Sequence, residues 1–178
     1  MKSIPTRFVP ILASAALALV PAAFAQNTAN RLTPADTTFA QKAAEGNMAE
    51  VQLGNLAQQR AENPSVKAFG KRMVEDHTRL NQELQSVASR SGVNLPPTPS
   101  TKDQEEYNRL SKLNGADFDH AYIQAMIAAH RADLKEFRRE SDQGTDPEMK
   151  DFATKSIPTL EEHLKLAQSA ARDIKSER

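Results

Sequence analysis

The chain has 178 residues, with 23 Lys+Arg balanced by 23 Asp+Glu, no Cys, no Trp and only 5% aromatic residues. That length suits one domain, and the even charge gives no electrostatic case for nucleic acid or an anionic membrane surface as partner. Without Cys the chain can form no disulfide, thiolate metal site, iron–sulfur cluster, cysteine nucleophile or acylated lipoprotein anchor.

The first segment reads as an export signal. Lys2 and Arg7 make a basic start, Ile11 to Val20 is an apolar run, Pro21 breaks it, and Ala23-Phe24-Ala25 is a small-x-small cleavage pattern. The run is too short to span about 30 Å of hydrocarbon as a helix. The sequence therefore predicts a signal peptide over residues 1–25, a flexible segment over 26–33 and one domain over 34–176. No later stretch is apolar enough to cross a membrane as a helix, so the expected address is the periplasm, with at most a peripheral association with the outer membrane.

Four long helices follow in chain order. Thr33-Pro34-Ala35-Asp36 offers an N-cap, a Pro at the first helical position and an acid at the third, opening helix A over about Pro34 to Arg60. Asn63-Pro64 opens helix B, which runs to about Ser91 and carries the clearest apolar stripe: Val66, Phe69, Met73, His77, Leu80, Leu84 and Val87. A Pro-rich stretch, Leu95 to Pro99, and a short helix from about Lys102 to Leu113 come next. Asn114-Gly115 breaks that helix, and helix C spans about Asp117 to Ser141 with Ile123, Ile127, His130, Leu134 and Phe137 on its stripe. Asp146-Pro147 opens helix D, which reaches about Lys175, carries Leu160, His163 and Ala167 on its stripe, and contains Pro158. The fold class is all-α, a four-helix bundle. The long B–C link either climbs the bundle, making B and C parallel as in ferritin-like folds, or decorates an up-down bundle.

These residues resemble a known family. Phe39, Ala43-Ala44, Gly46, Glu50-Val51 and Leu53-Gly54 are followed by Asn63-Pro64-Ser65-Val66-Lys67 and Met73-Val74-Glu75-Asp76-His77. Then come Phe118-Asp119, Tyr122-Ile123, Met126 and His130, and finally Phe152, Pro158 and His163-Leu164. The pattern is similar to the bacterial envelope proteins of domain-of-unknown-function family four-one-four-two, and it implies a ferritin-like bundle and an exported, envelope address. It implies no activity.

One constellation stands out. His77, His130 and His163 lie on the apolar stripes of three different helices, and Glu50 lies on the stripe of the fourth. Counted along the helices at about 1.5 Å per residue, all four fall within roughly one turn of a common level. Bundles build metal sites in this way, and three imidazoles with one carboxylate suit Zn²⁺, or Cu²⁺ where the geometry is tetragonal. Asp76 and Asp133 are candidate acceptors behind the rings. Each residue alone also fits a buried histidine satisfied by its neighbours. If the three rings converge, they resist protonation, and stability should fall on mild acidification.

A di-iron oxidase does not fit. That site needs Glu-x-x-His on two helices, whereas Val74, Ile127 and Leu160 stand three residues before the three histidines. Asp117-x-x-His120 approaches the motif in a first helical turn, where Asp serves the helix N-terminus. No phosphate loop, nucleophile elbow or other catalytic set is present. Two readings remain: a non-enzymatic periplasmic binding or envelope stress protein, and a bundle that binds Zn or Cu through Glu50, His77, His130 and His163.

Overall fold

A computed structural model describes residues 32–176; the expected signal peptide and most of the flexible segment behind it lie outside them. Among the described residues the chain is all-α, with helices α1 (Pro34–Arg60), α2 (Pro64–Arg90), α3 (Thr101–Leu110), α4 (Gly115–Gln143) and α5 (Pro147–Ser176). None of them is long and apolar enough to cross a membrane.

The helix starts follow from local chemistry. At the head of α1 the Thr33 hydroxyl accepts from the Asp36 amide while the Asp36 carboxylate accepts from the Thr33 amide, so two otherwise orphaned donors are satisfied. Asp36 also accepts from the amide and hydroxyl of Thr145 in the α4–α5 turn, at 3.0 and 2.6 Å, tying the two ends together. Asn63 accepts from the Ser65 amide ahead of α2. Gly115 adopts φ +57°, a conformation that strains any residue with a Cβ, and α4 begins there, two residues before the expected start.

Packing directions can be read from side-chain contacts. On α1 and α2, Asn47 meets His77 and Gly54 meets Gly70, so these helices are antiparallel. On α4 and α5, Ser141 meets Thr154 and His130 meets His163. Arg90 with Glu148 and Arg72 with Glu162 set α2 against α5, while Phe39 on Phe137 and Arg60 on Asn114 set α1 against α4. Each of these four pairs is therefore antiparallel, and α2 and α4 run in the same direction. The segment from 91 to 114 travels from the α2 end beside Glu148 to the opposite end, where Asp119 accepts from the amides of Glu62 and Asn63.

The core is divided into two. One apolar cluster gathers Leu56, Val66, Phe69, Met73, Leu110, Phe118, Ile123 and Ile174. The other gathers Phe39, Ala40, Leu80, Leu84, Phe137, Met149, Phe152 and Leu160. Between them, at mid-height, lies a layer of buried polar side chains: Asn47, Glu50, Asp76, His77, His130 and His163.

Candidate metal centre

The histidines come together because each occupies a core position of its helix. His77 stands four residues after Met73, His130 seven after Ile123, and His163 three after Leu160, so each continues the buried face of its helix. The rings are 0–1% exposed. One ring nitrogen from each lies within 4.8 Å of those of the other two.

Hydrogen bonds at the periphery fix which nitrogen carries the proton. His130 Nδ1 is 2.9 Å from the Met126 carbonyl, which can only accept, so Nδ1–H donates and Nε2 keeps its lone pair. His163 Nε2 donates to Asp76 Oδ2 at 2.9 Å, which leaves the lone pair on Nδ1. His77 Nδ1 faces two oxygens, Asn47 Oδ1 at 2.9 Å and Glu50 Oε2 at 3.0 Å, while its Nε2 is buried without a hydrogen-bond partner. Each ring thus donates outward and turns a lone pair inward. His130 Nε2 and His163 Nδ1 are 3.2 Å apart. With the outer bonds in place no proton remains for that contact. Two lone pairs at this distance repel one another, and a cation bonded to both removes the repulsion.

The spacing suits such a cation. Zinc–imidazole bonds of about 2.0–2.1 Å set neighbouring tetrahedral ligand atoms roughly 3.3 Å apart. A ring nitrogen held by an acceptor on its far side is the arrangement that orients metal-binding imidazoles.

Electrostatics keep the rings neutral. Burial pushes all three imidazoles below their ordinary value, reinforced at His77 by the two other rings, and His130 falls to about 4. Asp76 opposes this at His163 without reversing it. At Asp76 itself, burial is outweighed by hydrogen bonds from Arg72 and His163, so the carboxylate stays ionised. Glu50 behaves in the opposite way: burial, helped by Asp133 and Asp103, holds its carboxyl well above the usual range.

The structure places the residues picked out in the sequence as follows. His77, His130 and His163 converge. Glu50 lies beside them, but its oxygens face the Nδ1 atoms of His77 and His130, at 3.0 and 3.4 Å, on the outer side of both rings. Asp76 stands behind a ring, that of His163 rather than that of its sequence neighbour His77. Asp133 lines a cleft between α1, α3 and α4, while the outer nitrogen of His130 is taken by the Met126 carbonyl. His120 sits about 15 Å from His130 along the same helix.

Asn47 joins the layer without having been picked out. It shares a helical face with Ala43 and Glu50, and a buried amide three residues before a buried acid is the signal that marks it. Tyr122 is wholly buried, its hydroxyl has no hydrogen-bond partner, and burial followed by Glu50 pushes its ionisation up.

Comparison with solved structures shows the fold. A DUF305 fragment from Deinococcus radiodurans superposes with a TM-score of 0.70 at 15% identity, covering 79% of this chain and 98% of that one. A DUF305 protein from Streptomyces coelicolor, described as a candidate secreted protein, superposes with a TM-score of 0.68 at 15% identity, covering 79% and 92%. No curated protein sequence matches significantly. The family model described as Domain of unknown function (DUF4142) matches residues 21–170, and the chain belongs to that family.

Proposed function

We propose that this protein is an exported, non-enzymatic metal-binding protein. Its four long helices form a ferritin-like bundle in which the 91–114 segment is the crossover. His77, His130 and His163 hold one borderline transition-metal ion, Zn²⁺ or Cu²⁺. The observation that carries this reading is the pair of inward lone pairs on His130 and His163, 3.2 Å apart, beside the unpartnered Nε2 of His77.

Asp76, Asn47 and the Met126 carbonyl act behind the rings, fixing tautomer and orientation. Glu50 serves His77 in the same way, so the protein supplies three ligands, and solvent or an exogenous group takes the fourth position. Neutral imidazoles bind a cation without first losing protons near pH 7, which suits retention. Export rests on the Lys2 to Ala25 pattern, which supports a periplasmic site.

Elemental analysis after mild purification, and after reconstitution with Zn²⁺ or Cu²⁺, should give one ion per chain. His130→Ala should abolish retention while the far-ultraviolet helical signal is kept. Absence of a stoichiometric ion in the reconstituted native protein would refute the assignment.

A further inference from the structure

An ion held by wholly buried rings needs a way in, and the two flanks of the histidine layer offer different ones. On the α2–α5 flank, Arg72 and Arg79 are clamped onto Asp76, and Phe69 packs its ring against His130 and His163 with centroids 6.5 Å away. A groove of about 480 Å³ lies on this flank too, with Lys71, Arg72, Glu75 and Glu162 along it, but its floor toward the rings is the Phe69 side chain and the Arg72 guanidinium held by Asp76.

The α1–α4 flank carries a cleft walled by short side chains. A cleft of about 520 Å³ lies between α1 and α4 beneath α3. Gly46, Ala49, Ala125 and Ala129 form its walls, and such short side chains leave the space unfilled. Asp103, Glu105 and Glu106 come from α3, Asp133 from α4 and Glu50 from α1, against the cations Lys102 and Arg109. Glu50 is 5% exposed, and its Oε1, without a hydrogen-bond partner, lies 3.4 Å from His130 Nδ1. The innermost carboxyl of the cleft is therefore also the neighbour of two of the rings.

The geometry points to this cleft as the passage by which a divalent metal cation reaches the three histidines, with Glu50 as its innermost carboxyl and α3 as its roof. The assignment rests on the metal-binding reading above. Carboxyl oxygens spaced along the cleft offer a cation successive partners, although its field is weak, because Arg109 pairs with Glu106 and burial pushes Glu50 and Asp133 toward the neutral form. Leu110, wholly buried, anchors α3 over the opening.

The test is stopped-flow transfer of Zn²⁺ from a chromophoric chelator to the purified metal-free protein, with affinity measured separately at equilibrium. Ala129→Phe fills the cleft and should slow uptake about tenfold with the Kd unchanged. Lys102→Glu adds an acid at the mouth and should speed uptake about two- to threefold at low salt, an advantage lost near about 1 M salt. Ser169→Phe, in the groove between α2 and α5, should leave the rate alone. Native uptake that neither Ala129→Phe nor Lys102→Glu alters overturns the passage and leaves the metal site standing. Equal slowing by Ser169→Phe overturns it as well. A native protein that takes up no Zn²⁺ overturns both.

Discussion

The apolar clusters and the polar layer between them are equally buried, yet they do opposite things for the fold. In the cluster around Phe39, the ring packs edge-on against Phe137 at 5.0 Å, and Phe137 in turn meets Phe152 at 6.0 Å. Every buried atom there leaves water and gains contacts. In the polar layer, Asn47 Nδ2, Glu50 Oε1 and His77 Nε2 are buried without hydrogen-bond partners, and two imidazole lone pairs face each other. Each orphaned group costs about 1–3 kcal/mol. A fold that needed only stability would fill this level with leucine. The clusters hold the helices together, and the polar layer, costly in the metal-free state, is explained by a ligand that satisfies it.

The largest expected effect sets these regions directly against each other. Phe39→Ala should cost about 3–5 kcal/mol, because it removes a wholly buried ring and leaves a cavity. His130→Leu, of similar bulk and equal burial, should be neutral or stabilising by about 1–2 kcal/mol in metal-free protein, since it removes the facing lone pair and buries apolar surface. Paired urea melts decide the matter. If both substitutions destabilise to a similar degree, the polar layer is structural and the contrast between the regions disappears.

A smaller effect tests how the layer is positioned. A Cβ on Gly54 would lie 2.6 Å from the Gly70 carbonyl oxygen, and one on Gly70 would lie 2.7 Å from Ala57 Cβ. These two glycines let α1 and α2 approach closely, which keeps Asn47 and Glu50 within reach of His77. Gly54→Ala must push the helices apart and should cost about 1–3 kcal/mol. It should also weaken metal retention, although the residue touches no ligand. Gly46→Ala, where a Cβ meets nothing within 4 Å, is the matched control and should leave retention unchanged while stabilising the helix by up to about 1 kcal/mol. Loss of stability in the control would show that helix α1 is sensitive for another reason.

Much of this arrangement was legible in the sequence. The caps at Thr33 and Asn63, the Pro starts and the stripes through His77, His130 and His163 are local signals, and local signals suffice to put three rings in one layer. The path of the 91–114 segment is different. It depends on which end of the molecule α4 starts from, and that is set by distant contacts such as Arg60 with Asn114 and Asp119 with the amides of Glu62 and Asn63. The role of each acid was equally hidden. Asp76 adjoins His77 in sequence but serves His163, because adjacent residues on a helix point about 100° apart. Glu50 falls at the right level for a ligand, yet the edge of the ring it meets is set by how the His77 and His130 side chains are turned, which periodicity does not specify.

The smallest effect, counted per pH unit, is the response to pH, and there the sequence reading needs amending. Lowered imidazoles alone make stability fall on acidification. The unfolded chain takes up protons below about 6.5 that the folded rings refuse. That contribution is present at pH 7 and is lost as pH drops toward the folded value, about 4 for His130. Carboxyls with raised values act with the opposite sign. Glu50 is raised by burial, then Asp133 and Asp103; Asp133 is raised to about 7 by burial, then Asp103 and Glu136; and Glu140 reaches about 7 through burial and Asp36. These groups bind protons in the folded state while their unfolded counterparts are ionised, so their contribution is present below the unfolded value and is lost as pH rises toward about 7. These imidazoles and carboxyls oppose one another between about pH 5 and 7, and the native metal-free protein should show a shallow profile there. Removing one side exposes the other, by up to about 1.4 kcal/mol per pH unit for each proton. Glu50→Gln should therefore lose stability on acidification from pH 7.5 to 5, and His130→Leu should gain it, so that the two profiles cross that of the native protein in opposite senses. Metal-loaded native protein should fall most steeply, because protonated imidazole releases the ion. Urea melts across that range give all four curves. Parallel profiles for the three metal-free proteins would mean that Glu50 and His130 do not titrate against each other in one buried layer.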